Sequence, residues 1–380
     1  MANSKIKILF LDHTPFIGGA QLSLIDHLKT IDKEKFEVMF GCSVNAEKIG
    51  LTHDLEKFGI KYKILSFTKL KSLNPLVLYN LIKDILEVRN LIKKEKFDLV
   101  FANTVRVHIL SCLAALFTHA KVIWFMQDFT FPLFLFKILK YLSDKIVYIS
   151  KATAVNYGEK VAANNIVYIG SDFYKNQITE EQIKNKKIEW NVVDDKTITI
   201  GYVGRLVEWK GADLLIKAVS GLVNEGINNI KCIIIGSGEG QKGNNEAYLK
   251  KLVQENKLED KVVFTGHRTD IFICMSALDA LCLTSIKPEP FGLVIVEAMM
   301  AKTLVVATND GGPVEIIKNG ETGFLFEKKA TSLIHVFKMA ISDFELRKKI
   351  IEKAYNSAIN NFSVKKMTED FEKIYFDLLK

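Results

Sequence analysis

The sequence predicts an α/β protein made of two doubly wound parallel-sheet domains. Three observations lead there. Short β-branched runs alternate with longer helical patterns, as βαβ units require. The alternation breaks in a polar stretch at 171–195 and then restarts. The chain has 380 residues, 48% hydrophobic and 25% charged, too long for one ordinary core and too apolar to be disordered. The expected division is 1–172 and 173–362, two Rossmann-like halves facing a central cleft. Ligands of such folds bind beyond the carboxyl ends of the strands.

Taken in order, Lys5–Asp12 reads as a strand and Gly18–Lys29 as a helix. Strands follow at Phe36–Ser43, Lys61–Phe67, Phe97–Thr104, Lys121–Asp128, Lys145–Ser150 and Asn165–Gly170. The longest helical pattern between them runs from Pro75 to about Lys94. After the polar break, strands are expected at Thr197–Gly204, Lys231–Gly236, Lys261–Gly266, Ala280–Ser285 and Thr303–Thr308. Three further helical patterns follow, ending with Val364–Leu379.

The net charge of +8 is spread along helices rather than gathered in a block. It reads as solvated helix faces, and no nucleic-acid partner is expected. Five cysteines, at 42, 112, 232, 274 and 282, have no metal-ligand spacing; all but the first sit in apolar runs. They fit core thiols in a reducing compartment. The N-terminus lacks the long apolar region of a signal peptide, and no run is apolar enough to span a bilayer. The expected location is the cytoplasm. Phe129–Leu142 is apolar and carries Lys137 and Lys140. It reads as a packed helix or as a contact with the inner face of the cell membrane.

The chemistry concentrates where strands end. Gly204-Arg205-Leu206-Val207-Glu208-Trp209-Lys210-Gly211 puts two cations just before a helix. A guanidinium fork and an ammonium suit phosphate oxygens, and a positive helix N-terminus disfavours cations without an anion. Glu289-Pro290-Phe291-Gly292-Leu293 opens a helix that carries Glu297 further in. Amides at such an N-terminus can bind phosphate, and the two carboxylates make better acceptors for sugar and ribose hydroxyls. Thr308-Asn309-Asp310-Gly311-Gly312-Pro313 is a close-approach loop, and Gly266-His267-Arg268 is a further strand-to-helix turn that could edge a nucleobase. Gly238-Glu239-Gly240-Gln241-Lys242-Gly243 matches a dinucleotide glycine pattern without its expected context. Asp194-Asp195 has no third ligand nearby, so no metal and no other cofactor is expected.

Together these segments resemble the GT-B retaining glycosyltransferases of glycosyltransferase family four. The Gly-Arg-Leu…Lys-Gly loop, the glutamates at 289 and 297, the Gly311-Gly312-x-x-Glu315 loop, Ile235-Gly236-Ser237-Gly238 and Gly266-His267-Arg268 stand in that family's order. The resemblance implies that Arg205 and Lys210 hold a donor diphosphate near Gly204 and Gly236. It implies that Glu297 binds the ribose, Glu289 the transferred sugar, and the backbone of Phe291, Gly292 and Leu293 sugar or phosphate. Gly18 and Gly19 resemble the family's glycine loop, and Ser150 with Gly170-Ser171-Asp172 its link into the second domain. The last helix, 363–380, is implied to return to the first domain. One departure stands out. Gln127 sits where similar proteins often carry His, which makes Asp128 the polar catalytic neighbour; His108, on a helical pattern, reads as structural.

The implied activity is retaining transfer from a UDP- or GDP-linked sugar to a saccharide or lipid-linked hydroxyl acceptor, in surface polysaccharide, lipopolysaccharide or glycolipid assembly. Alternatives are a nucleotide-sugar epimerase or phosphorylase of the same fold, or a non-catalytic binding subunit. Alanine at Arg205 or at Lys210 is expected to cost turnover far more than folding.

Overall fold

In the computed structural model, residues 5–14, 18–43, 51–69, 74–160, 162–192, 194 and 196–380 are described, with the side chain of residue 341 set aside. The chain forms two units, Met1–Gly170 with Val364–Lys380, and Ser171–Ser363.

The first unit alternates β1 (Ile6–Asp12), α1 (Gly19–Thr30), β2 (Phe36–Ser43), α2 (Leu51–Lys57), β3 (Lys61–Leu65), α3 (Pro75–Glu95) and β4 (Leu99–Ala102). It continues through α4 (Val105–Ala115), β5 (Lys121–Met126), α5 (Leu133–Leu139), β6 (Lys145–Tyr148) and α6 (Lys151–Asn156). All pairings are parallel, in the order β3-β2-β1-β4-β5-β6. Ile8–Leu11 of β1 are fully buried, as a central strand covered on both faces must be. Local signals fix the helix ends. Asn74 accepts a hydrogen bond from the amide of Val77 at 2.8 Å, and Pro75 opens α3.

The second unit contains α7 (Glu180–Glu189), β7 (Ile198–Val203), α8 (Ala212–Asn224), β8 (Ile230–Ile235), α9 (Glu246–Glu255), β9 (Val262–Gly266), α10 (Ile271–Ser276) and β10 (Ala280–Leu283). There follow α11 (Leu293–Met300), β11 (Leu304–Thr308), α12 (Pro313–Ile316), β12 (Phe324–Phe326), α13 (Ala330–Ser342) and α14 (Phe344–Phe362). Its parallel sheet runs β12-β11-β10-β7-β8-β9. The core beneath it joins Ile200, Tyr202, Leu215, Val219 and Ile234.

The final helix, α15 (Val364–Leu379), belongs to the first unit. Its buried face meets α1 and the sheet. The His27 ring bonds Thr368 Oγ1 at 3.0 Å and the Tyr375 hydroxyl at 2.8 Å. Phe371 packs edge-on against Phe101 and Phe125. His27 is fully enclosed, and burial pushes its imidazole down to about 3.

Three sequence expectations change. Asn165–Gly170 is not a strand: a short 3₁₀ turn at Ala163–Asn165 and one bridge, Tyr148 to Ile166, replace it. The polar stretch at 171–195 is not merely a boundary. It contains α7, opened by a reciprocal Thr179/Gln182 capping box. Its charges are spent in the fold, since buried Lys186 pairs with both Glu189 and Asp270 at 2.6 Å. The sixth strand of the second sheet, β12, has three residues, too few for an alternating pattern to register.

Phe129–Leu142 divides its faces. Phe136 is buried against Trp124 and Tyr157, whereas Phe134, Ile138 and Tyr141 are exposed. Among the described residues, no helix is long and apolar enough to cross a membrane.

Candidate functional site

In the second unit the strand ends are stitched together by backbone. The amide of Gly204 donates to the carbonyl of Ile235 at 3.0 Å, and that of Gly236 to Gly266 at 2.9 Å. Gly236 has φ +138°, and a Cβ there would lie 1.9 Å from the carbonyl oxygen of Gly204. No other residue fits without moving the Arg205 loop. The loop after β10 is tied in as well: the amide of Ile286 donates to the carbonyl of Trp209 at 2.9 Å.

These ties bring Lys210 and Glu289 together. Lys210 Nζ lies 2.5 Å from Glu289 Oε1, and the Ser285 hydroxyl donates to the same oxygen. Glu289 is buried, so its charge depends on these donors. Lys210 also sits over the Trp209 ring, 4.5 Å from its centroid, and the Arg205 guanidinium lies 5.9 Å from the same ring. Arg205 is exposed; its hydrogen bond is a long one, 3.4 Å to Gln241 Oε1. Among the described residues it has no carboxylate partner.

The Gly311-Gly312 turn supports the Glu289 loop from behind. The amide of Gly312 donates to the carbonyl of Glu289 at 2.8 Å, and a Cβ at Gly312 would stand 2.3 Å from Phe291 Cα. The paired glycines therefore serve loop-to-loop packing. Phe291 is buried, and Gly292 caps α11 without a side chain that could accept from the first turn. Leu293 opens that helix, and Glu297 lies half-buried within it.

Arg268 has carboxylate partners within its own unit. Its Nε and Nη2 donate to Asp270 at 2.8 and 2.7 Å, and Nη1 lies 3.0 Å from Glu189. The fork expected to meet substrate is occupied by two carboxylates of its own unit. Gly238-Glu239-Gly240-Gln241-Lys242-Gly243 does lie in a strand-to-helix connection, between β8 and α9, but Glu246 Oε2 already accepts from the Gly238 amide at 3.2 Å. Asp195 lies outside the described residues. Among the described residues, no three His, Cys, Asp or Glu side chains group as metal ligands.

The first unit gathers polar groups at the carboxyl ends of β1, β4 and β5. Gln21 Oε1 accepts from the Gly18 amide at 3.1 Å, while its Nε2 donates to Asp12 Oδ2 at 3.0 Å. Asn103 Nδ2 donates to the same oxygen at 2.6 Å, and Gln127 Nε2 donates to Asn103 Oδ1, also at 2.6 Å. One continuous chain thus links Gly18 to Gln127. The buried Oε1 of Gln127 has no protein donor among the described residues. Gly19, next to Gly18, is exposed in the first turn of α1. Asp128 accepts from the amide of Thr130 at 2.9 Å and from its hydroxyl at 3.1 Å. His13 Nδ1 bonds Thr104 Oγ1 at 2.8 Å; burial and then the charge of Arg106 push its imidazole below the usual range.

Sequence reasoning missed Asp12, His13, Asn103 and Arg106. The available signal was position: Asp12, His13 and Asn103 stand at or just past the carboxyl end of an apolar strand, and Arg106 in the first turn of the helix after β4. His108 is structural, as expected. It is buried and stacked on Trp124 at 4.0 Å, and burial lowers its imidazole to about 3. Ser150 caps α6, accepting from the amide of Thr153 at 3.0 Å.

The chain is similar to known glycosyltransferases in sequence and in fold. Residues 183–357 match the family described as glycosyl transferases group 1. The chain is 27% identical to the capsular polysaccharide biosynthesis glycosyltransferase CapM of Staphylococcus aureus, over 80% of this chain and 83% of that protein. Among solved structures, HepE of Anabaena in complex with UDP-glucose is similar, with a TM-score of 0.81 and 25% identity over 98% of this chain and 100% of that one. A glycosyltransferase from Rickettsia africae ESF-5 also aligns, with a TM-score of 0.81 and 27% identity over 99% of both chains.

Proposed function

We propose, from the premise that the chain belongs to the glycosyl transferases group 1 and is a GT-B glycosyltransferase, that it moves a sugar from a nucleoside diphosphate to a hydroxyl acceptor with retention at the anomeric carbon. The observation that carries this reading is Arg205, an exposed cation beside the Lys210–Glu289 pair and over the same Trp209 ring. That is a place prepared for an anion with several oxygens. The capsular polysaccharide role of the CapM relative supports assembly of a surface polysaccharide, and the UDP-glucose complex of HepE supports a UDP-linked donor.

In this mechanism the diphosphate lies against Arg205, Lys210 and the first turn of α11. The bond from the anomeric carbon to the diphosphate oxygen breaks, and its electron pair leaves with the phosphate. The acceptor oxygen bonds to the same face, and its proton passes to a phosphate oxygen of the leaving group. Negative charge grows on the diphosphate, where the cations are already fixed; such preorganised donors contribute about 10²–10³ in rate each. Glu289 has two tasks. It holds Lys210 in place and offers its carboxylate to the transferred sugar's hydroxyls. Glu297 accepts from the ribose. In the first unit, Asp128 and the Gln127 amide orient the acceptor. The protein's own cations supply the charge neutralisation that a divalent metal could otherwise give.

A panel of UDP- and GDP-sugars in a thermal-shift assay tests donor binding, since a ligand of the folded state raises stability by mass action. Wild-type protein should respond to one nucleotide class, and Arg205→Ala should lose that response. An Arg205→Ala protein with the wild-type response rejects the site. The anomeric configuration of the product, read by NMR, tests retention. An altered nucleotide sugar in place of a glycoside would indicate epimerisation. Exposed Phe134, Ile138 and Tyr141 support contact with a bilayer, which flotation with anionic vesicles tests directly.

A further inference from the structure

A cavity of about 570 Å³ opens in the first unit, within the usual size of small-molecule sites. The donor chemistry does not use it. Its lining combines the apolar side chains Phe67, Leu81, Ile109 and Phe131 with the cations Lys69 and Arg106. Two carboxylates also line it, so total charge does not decide what it takes. Hydrogen bonding does. Asp84 accepts from the amide of Thr68 at 2.7 Å, and Asp128 from the amide and hydroxyl of Thr130. Both acids are answered by neutral donors, two backbone amides and the Thr130 hydroxyl. Among the described residues, neither Arg106 nor Lys69 has an ion pair or a hydrogen bond to an acid. The hydroxyl of Thr104, placed to cap α4, turns to His13 instead. Arg106 is half-buried, where a guanidinium without an acceptor is costly.

We propose that this cavity binds the acceptor, and that the acceptor is an anionic amphiphile. Its phosphate ester would meet Arg106 and Lys69, and its apolar substituent would lie along Phe67, Leu81, Ile109 and Phe131. The guanidinium fork matches phosphate oxygens, and the apolar side chains exclude water from the contact. The inference rests on reading the first unit as the acceptor side.

Isothermal titration of the full chain with n-octyl phosphate, inorganic phosphate and n-octyl glucoside, all below micelle-forming concentrations, tests it. Octyl phosphate should bind at least tenfold more tightly than either of the others; the inorganic ion separates a free phosphate site from an amphiphile's headgroup. Arg106→Gln should weaken octyl phosphate at least tenfold and leave octyl glucoside unchanged. Ile109→Trp, which fills the cavity, should abolish octyl phosphate binding. Lys69→Gln, at an exposed position, gives a second charge deletion if Arg106→Gln does not fold by circular dichroism. Equal affinity for octyl phosphate and octyl glucoside overturns the proposal, as does wild-type affinity in the folded charge variants. UDP is titrated alongside. If UDP binds and octyl phosphate does not, this inference alone fails; if UDP does not bind wild-type protein, the donor reading fails.

Discussion

In the first unit the strands lie in the order β3-β2-β1-β4-β5-β6. Counted from β7, the second sheet read from β9 to β12 repeats that order, third-second-first-fourth-fifth-sixth. Both units therefore reverse direction beside their first strand, where open α/β sheets bind ligands. They furnish that position differently. The second unit uses glycines, which let loop backbones touch and so fix the pair of half-buried Lys210 with buried Glu289. The first uses a relay of three side-chain amides through one carboxylate, Gln21–Asp12–Asn103–Gln127, beside a cavity whose cations have no acid partner among the described residues. One topology accepts either solution because sheet order sets where chain ends converge and leaves open what fills the space.

The largest expected effect separates the two solutions at a single carbon. Gly236→Ala places a Cβ 1.9 Å from the Gly204 carbonyl; it should cost more than about 4 kcal/mol and abolish nucleotide binding. Gly19→Ala, where nothing lies within 4 Å, should change stability by under about 0.5 kcal/mol. Chemical denaturation checks both, and a tolerant Gly236 would remove the backbone argument.

Next come the two cations, which the sequence treats alike and the geometry does not. Arg205→Ala should lose about 10²–10³ in turnover while stability stays within about 0.5 kcal/mol. Lys210→Ala strands buried Glu289 and should also destabilise the fold by about 3 kcal/mol. Lys210→Ala with Glu289→Gln should recover part of that loss. Equal stabilities of the two single variants would show that Glu289 needs no partner.

A pH titration sharpens the comparison further. His27 and His108 are buried neutral in the first unit, held at about 3 against an ordinary 6.5. The unfolded chain binds their protons first, so stability is full above pH 6.5 and falls as the pH drops toward 3. At pH 5 the loss should be about 2 kcal/mol per histidine. In the second unit, the Arg268 and Lys186 partners of Asp270 hold its carboxyl well below the ordinary 3.8. That contribution persists above pH 3.8 and is lost below it. Unfolding followed by Trp124 fluorescence in the first unit and Trp190 in the second should show the first unit yielding earlier on acidification, and His27→Gln should narrow the gap. Simultaneous loss would count against this assignment.

The smallest effect concerns Arg268. Arg268→Gln should leave nucleotide affinity within about twofold and cost about 1 kcal/mol or less, since its pairs with Glu189 and Asp270 are partly exposed. A tenfold loss of affinity would return Arg268 to the donor site.

Much of the second unit's site was legible because its demands are local. Gly204, Gly236 and Gly292 stand at strand ends or a helix start, and Arg205 and Lys210 share the loop that Gly204 opens. The first unit's site was less legible. Gly18 and Gln127 were found, but Asp12 and Asn103, which join them, lie 91 residues apart and carry no shared pattern. The partners of Arg268 were not legible, because Asp270 is near in sequence but Glu189 comes from a helix far along the chain. The helix at Glu180–Glu189 was hidden by its charge, although its capping pair was visible at Thr179 and Gln182.

Residue order alone settled the two-fold α/β plan, the strand ends that matter, and the cations and acids placed there. These follow from hydrophobic period and backbone sterics, which act over a few residues. Folding settled which charges remain available. Lys210 meets Glu289 across 79 residues, and Arg205 has no acid partner among the described residues, because parallel crossovers bring distant loops to one edge of the sheet. A charge's partner is set by distance in space, and that distance exists only once the strands have taken their order.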